Sequence, residues 1–314
     1  MDRISNLPDE LISRIVSFLA AKDAASLLVL SRRFRNVYTI IQDLVFDDRA
    51  KFQGTFTGLI FTCKTLNKLK LGREIVISLL LQNALLPSLK TLIFESVRFC
   101  NLDDCAFQAF LLACPVLKEL TIDGMYWETW KWSGIVSSRS LQRLTIGREL
   151  IDFKGPDPQN ITFDTPSLAY LDYGDFVPDG YTIVNFESLV EARLNLLVMV
   201  DRRWRGHFSE DGDILSSNAT NLIQGIKHVQ ILELSSPYTF ETLYLFRDAI
   251  PVFEKLHHLT MTHDDTGFGW RFLPFLLNKA PNLKTLVIEG GLHCLEPDYV
   301  CRCLSGYSCL LSCF

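Results

Sequence analysis

The chain has 314 residues, 48% of them hydrophobic and 21% charged, with a formal net charge of −5. It is too apolar for a disordered chain, and it carries no basic excess of the kind that holds nucleic acid or an anionic membrane. No apolar stretch reaches the ~18 residues of a spanning helix, and the acidic start MDRISNLPDE lacks the basic-then-apolar run of a secretory signal, so an intracellular protein of nucleus or cytosol is expected.

Residues 1–48 read as three short helices. Leu7-Pro8 opens the first, since proline suits the first helical position and Asp9 and Glu10 favour the positive end of the helix dipole. Leu11, Ile15 and Leu19 follow at i, i+4 and i+8. Lys22-Asp23 starts a second, nearly all-apolar helix containing Leu27, Leu28 and Leu30. Ser31 caps a third, with Arg32, Arg33 and Arg35 on one side and Phe34, Val37, Tyr38 and Ile41 on the other. A module this small buries only about 60% of its unfolded surface, so part of its leucine and isoleucine needs a cover. That cover is either the first repeat or a partner protein.

From residue 60 to 290 the chain repeats Leu-x-x-Leu-x-apolar. The copies begin at Leu66, Leu89, Leu117, Leu141, Leu168, Leu189, Val229, Leu256 and Leu283, in steps of 21 to 28 residues with one of 40. The last two apolar positions of each copy are two apart and face one side of a strand. One unit cannot bury that side alone, whereas stacked units share a continuous core. Prolines ahead of several copies, such as Pro87, Pro115, Pro166 and Pro281, halt the preceding segment and admit an extended strand. The intervening segments 101–114, 240–251 and 270–281 carry helical spacing, so helices are expected on the outer face. These copies resemble leucine-rich repeats. A doubly wound sheet fits less well, because no glycine-rich phosphate turn follows any strand.

Three segments off the leucine frame are candidates for target contact. Trp127, Trp130 and Trp132 lie within six residues, Arg203 and Trp204 sit in the irregular 40-residue step, and Trp270 follows another strand. Clustered aromatic and arginine side chains suit binding hot spots, although packing on a neighbouring repeat or a plain loop would use them too. Nucleotide-binding, zinc-protease and serine-hydrolase motifs are missing, His263-Asp264-Asp265 reads as a solvated loop, and neither a cofactor nor a metal is expected. The nine cysteines are expected to be free thiols, mostly small buried hydrophobes. Five of them fall in the tail after residue 291, where Cys-x-Cys alone is a weak zinc signal.

The run ISNLPDELISRIVSFLAAKDAASLLVLSRRFRNV resembles a plant F-box, with Phe34 where that family commonly has Trp. Coupled to the repeats, it is similar to the plant F-box/LRR family, whose members often end in an FBD domain; residues 291–314 resemble the opening of one, and a truncated FBD-like tail is expected there. The resemblance implies an α/β chain: a three-helix F-box over 1–48, then a curved parallel sheet with outer helices over 60–290. It further implies a non-enzymatic substrate receptor of an SCF-type cullin-RING ubiquitin ligase. In that role Leu7, Pro8, Leu11, Ile15, Leu19, Leu27, Leu28 and Leu30 face the Skp-type adaptor, through which cullin and RING subunits are reached, while the repeats hold an unknown protein target. Some of those eight side chains would equally serve the module's own core. Two alternatives stay open: a repeat scaffold or small-ligand sensor whose N-terminal helices only cap the solenoid, and a fragment that docks the adaptor without a target.

Overall fold

Alternation along a strand sends every second side chain to the same face, so Leu-x-apolar makes a two-residue apolar stripe wherever it is extended. The computed structural model describes residues 7–8, 11, 14, 42–46, 61, 63–72, 76–77, 84–99, 106–125, 134–148, 160–198, 217–262 and 268–289. The chain divides into two units, Met1–Pro156 and Asp157–Phe314.

The first unit contains strands β1 (Asp43–Phe46), β2 (Lys68–Leu71), β3 (Val76–Ile77), β4 (Thr91–Glu95) and β5 (Arg98–Phe99), helix α1 (Ala106–Leu112), and strands β6 (Glu119–Met125), β7 (Ile135–Ser137) and β8 (Arg143–Arg148). Its main sheet runs β1-β2-β4-β6-β8, every pair parallel. The register sets leucine against leucine: Leu44, Leu69, Leu92, Leu120 and Leu144 form one rank. Phe46, Leu71, Phe94, Ile122 and Ile146 form the next, and both ranks are buried. Phe107 and Phe110 of α1 are buried as well. The Phe110 ring meets Phe61 edge-on at 5.5 Å between centroids and Phe94 at 5.7 Å.

The second unit contains β9 (Asn160–Asp164), β10 (Tyr170–Phe176), β11 (Gly180–Asn185) and β12 (Glu191–Leu197), α2 (Thr220–Gly225), β13 (Ile231–Leu234), α3 (Pro237–Leu245), β14 (His258–Thr262), α4 (Phe268–Asn278) and β15 (Thr285–Glu289). Here β10-β12-β13-β14-β15 is again parallel and in repeat register, with Leu171, Ala192, Leu232, Leu259 and Leu286 in one rank.

One backbone device recurs in both units. In seven of the nine copies the amide of the first apolar residue donates to the carbonyl three residues earlier, as in Leu89 to Leu86, Leu117 to Cys114, Leu168 to Thr165 and Leu283 to Ala280. Pro87, Pro115, Pro166 and Pro281 therefore occupy the second position of a β-turn, where their fixed φ is favoured. The next two amides then share one carbonyl of the preceding repeat. Lys118 and Glu119 both donate to Lys90 O, and His257 and His258 both donate to Gln230 O.

Helices stand where helical spacing was read, at α1, α3 and α4. Elsewhere an all-helical outer layer is corrected. β9 and β11 pair parallel with each other, because the return segments NITFD and GYTIVN are rich in β-branched and aromatic residues. The sheet also begins earlier than the first copy counted. Ile41, Leu44 and Phe46 have the repeat's spacing, and β1 lies in register on β2.

If the leucine rank carries the stability, Leu120→Ala should cost ~2–5 kcal/mol by cavity formation. Thr121→Ala, on the opposite face of the same strand, should stay within ~0.5 kcal/mol. Urea titration followed by circular dichroism reads both.

Candidate protein-interaction surfaces

At the amino end, Leu11 N donates to Pro8 O at 3.0 Å, and Leu11 and Arg14 are helical, as a proline at the first helical position favours. Pro8 and Arg14 are exposed, Leu7 is half-buried, and Leu11 is 48% exposed. Ile15, Leu19, Leu27, Leu28 and Leu30 lie outside the described residues. So do Trp127, Trp130, Trp132, Arg203, Trp204, the His263-Asp264-Asp265 segment and the tail 291–314. Trp270 is on α4.

The sheet faces opposite the leucine ranks present a second kind of surface. In the first unit the outward positions hold Lys68, Lys70, Thr91, Glu95, Glu119, Asp123 and Arg143. Lys70 Nζ lies 2.8 Å from Glu95 Oε1, and Thr91 Oγ1 donates to Glu119 Oε2 at 3.3 Å. In the second unit Arg193 is the hub. Its Nη2 lies 3.2 Å from Glu191 Oε1 and its Nε 3.3 Å from Glu233 Oε2. Its guanidinium carbon sits 5.7 Å from the centre of the Tyr170 ring, and Tyr170 Oη donates to Asp172 Oδ2 at 3.4 Å. Partly exposed pairs like these add little to stability, but five side chains on three neighbouring strands hold one another in place. His258 stands on the same face, with Nε2 3.2 Å from Thr260 Oγ1. The leucine spacing leaves these positions unconstrained, and only the register brings them together.

The chemistry of catalysis is thin among the described residues. No group of three or more His, Cys, Asp or Glu is placed to hold a metal. Cys63 and Cys114 are buried, like the small hydrophobes expected of them. Burial pushes the Cys114 thiol from about 9.0 up to about 12, away from nucleophilic use. Burial likewise raises the Tyr181 phenol, whose Oη donates to Tyr173 Oη at 3.2 Å, and the Glu241 carboxyl.

The F-box domain family model matches residues 4–37, and the LRR repeats of the FBD-associated F-box protein At5g56370 match residues 36–178. The putative F-box/LRR-repeat protein At3g58920 of Arabidopsis thaliana is 41% identical over all of this chain and 85% of its own length. The chain belongs to the F-box/LRR-repeat family. The F-box/LRR-repeat protein At3g58980 from the same plant is 44% identical, and the chain spans 64% of its length. At5g15620, a putative F-box/LRR-repeat protein, is 42% identical over all of this chain and 84% of its own length. Alignments of 382 to 402 positions exceed the 314 residues of this family member, so these relatives carry stretches that it lacks. The repeat match begins at residue 36 and so takes in β1. The parallel register runs on past its end at residue 178, as far as β15.

The raised Cys114 thiol fixes a pH dependence. Because its folded pKa lies above the unfolded one, its contribution is complete below about 9.0 and is lost as pH rises toward about 12, where only the unfolded chain sheds the proton. Cys114→Ala should therefore flatten the fall in melting temperature between those pH values, read against the parent chain by scanning calorimetry. An unchanged slope would mean that this thiol is not sealed.

Proposed function

We propose that this chain is the substrate-recognition subunit of an SCF-type cullin-RING ubiquitin ligase. The F-box segment docks a Skp-type adaptor, and the repeats hold a protein target. One observation carries the reading: an F-box match at residues 4–37 runs straight into a repeat match at 36–178. The half-exposed Leu11, at the start of that F-box segment, supports docking over the capping alternative, which requires the same leucine to be sealed by the chain itself. Pro8 and Leu11 then form part of the adaptor contact, with Ile15, Leu19, Leu27, Leu28 and Leu30 shared between that contact and the core of a three-helix module over 1–48.

In this role the chain contributes no catalytic group. Its work is to hold the target beside a ubiquitin-charged partner, which replaces a bimolecular encounter by a high local concentration. Nucleus or cytosol is the workplace. The tryptophan-rich segments at 127–132, 203–204 and 270 are further positions for target contact.

Co-expression with a Skp-type adaptor and affinity capture tests the reading. The parent chain should retain the adaptor. Leu11→Asp with Ile15→Asp should abolish retention while leaving the melting transition of the repeats in place, because a charge at the centre of an apolar contact is left desolvated and unpaired. Retained capture by the double variant refutes the proposal.

A further inference from the structure

We infer that the rim of the first unit, where the chain turns into β2, β4, β6 and β8, is a docking surface for an extended protein segment that carries acidic and aliphatic side chains together. The inference goes beyond the receptor role proposed above and does not depend on it. Its first support is charge. The rim segments 63–67, 85–90, 112–118 and 138–142 hold four cations, Lys64, Lys90, Lys118 and Arg139, and no carboxylate. All four are exposed, and among the described residues no ion pair engages any of them. Glu119, which follows Lys118 into β6, already accepts from Thr91 Oγ1 at 3.3 Å. The equivalent segments of the second unit, 164–169, 186–190, 226–230, 253–257 and 280–284, are balanced, with Lys227, Lys255 and Lys284 against Asp164, Glu187 and Glu254.

The second support is apolar and independent of the first. The same rim exposes Leu112 at 70%, Leu85 at 48% and Val116 at 39%, beside the exposed Pro115. Leu86 N donates to Ala113 O at 2.8 Å, which joins the two copies at the residues next to Leu85 and Leu112. Phe110, Leu111 and Leu117 are buried, so the core of these copies is filled without the exposed three. Lys64 and Arg139 belong to the copies on either side, and Lys90 and Lys118 stand where the two middle copies enter their strands. An apolar centre with a charged edge is the make-up of a protein interface. The four segments contain no aromatic residue, whereas single-stranded nucleic acid needs rings on which to stack its bases. Acidic groups on a polypeptide with aliphatic side chains of its own meet both features.

The third support is rigidity and spacing. Ser88 Oγ donates to Lys64 O at 2.7 Å and Ser140 Oγ to Leu117 O at 2.8 Å, each tying one copy's turn to the copy before it. Lys118 N donates to Lys90 O and Gln142 N to Lys118 O, both at 2.8 Å. The backbone beneath the cations is thus fixed before anything binds, which lowers the ordering cost of association. Strands ~4.8 Å apart put Lys64 and Arg139, separated by three such steps, at about 14 Å, the reach of roughly four residues of extended chain at ~3.3 Å each. Alternate side chains of that segment face the rim and meet its aliphatic centre, and the long flexible lysine stems reach acids at its edges.

The test uses the full chain and a labelled peptide whose leucine-valine-leucine centre lies between runs of glutamate, followed by fluorescence anisotropy. This peptide should bind saturably and weaken with salt. Its counterpart with lysine for glutamate should not bind, and one with glycine for the aliphatic centre should bind several-fold more weakly. Lys90→Glu with Lys118→Glu should weaken the acidic peptide by ~10-fold or more, because like charges then face each other, and Leu112→Gln should weaken it several-fold. Neither variant should move the melting temperature, since these side chains are exposed. Lys255→Glu with Lys284→Glu, equally exposed on the second unit's rim, should change nothing. Indifference of the acidic peptide to the Lys90 and Lys118 variant, or an equal loss with the Lys255 and Lys284 variant, overturns the inference. So does a single-stranded oligonucleotide that binds as tightly as the acidic peptide. A concentration-dependent dimer seen in sedimentation and abolished by the Lys90 and Lys118 variant gives the rim to a second copy of the chain and overturns it as well.

Discussion

Leucine stacked on leucine across parallel strands is the constraint from which the rest of the structure follows. Side chains alternate along a strand, so slipping one strand by a single residue would turn its apolar pair outward and bring lysine, glutamate or threonine into the core. The buried ranks through Leu69, Leu92, Leu120 and Leu144, and through Leu171, Ala192, Leu232 and Leu259, hold every pair in register. Each fully buried leucine is worth ~1.5–3 kcal/mol, and a slip would forfeit two per strand. The same constraint positions the outward side chains. Arg193 meets Glu191, Glu233 and Tyr170 because leucines beneath them fix how β10, β12 and β13 align.

This division explains what could be read from the sequence. The Leu-x-x-Leu-x-apolar pattern is a statement about the core, and it located the strands from β2 to β15 that fill the main sheets. It was keyed too tightly on leucine at its first position, so the copy at Ile41, Leu44 and Phe46 went uncounted although its spacing is the same. The return strands β9 and β11 were missed for another reason. A search for helical spacing finds helices, whereas ITF and YTIV announce strands by their β-branched content. The open-face cluster was not legible at all. Tyr170, Glu191, Arg193 and Glu233 are spread over 64 positions, and no local spacing rule joins residues that only a register brings together.

The fold also separates two surfaces of opposite character. At the F-box end an aliphatic side chain, Leu11, is half exposed, the kind of group that gains most from burial against another apolar surface. On the strand faces the exposed groups are charged and already paired with one another, and burying them repays the desolvation only where a partner supplies matching charge and geometry. Tight, undiscriminating contact suits the first surface and selective contact the second. The receptor role proposed above would use both kinds of contact, one for a constant adaptor and one for a chosen target.

Nearest-neighbour stacking has a consequence at β15, the last strand among the described residues. In a repeat array each unit is stabilised by the ones on either side of it, so the last rank is the weakest. Leu259 on β14 is sealed at 0% exposure, whereas Leu286, its partner on β15, is 37% exposed. Leu283, the first apolar residue of that copy, is only partly buried, where Leu256 and Val229 before it are sealed. Nothing in TLVIE itself distinguishes it from TLIFE of β4, whose Leu92 and Phe94 are buried between β2 and β6. Among the described residues β15 has one strand neighbour, β14, where β4 has two, so composition alone does not set the exposure.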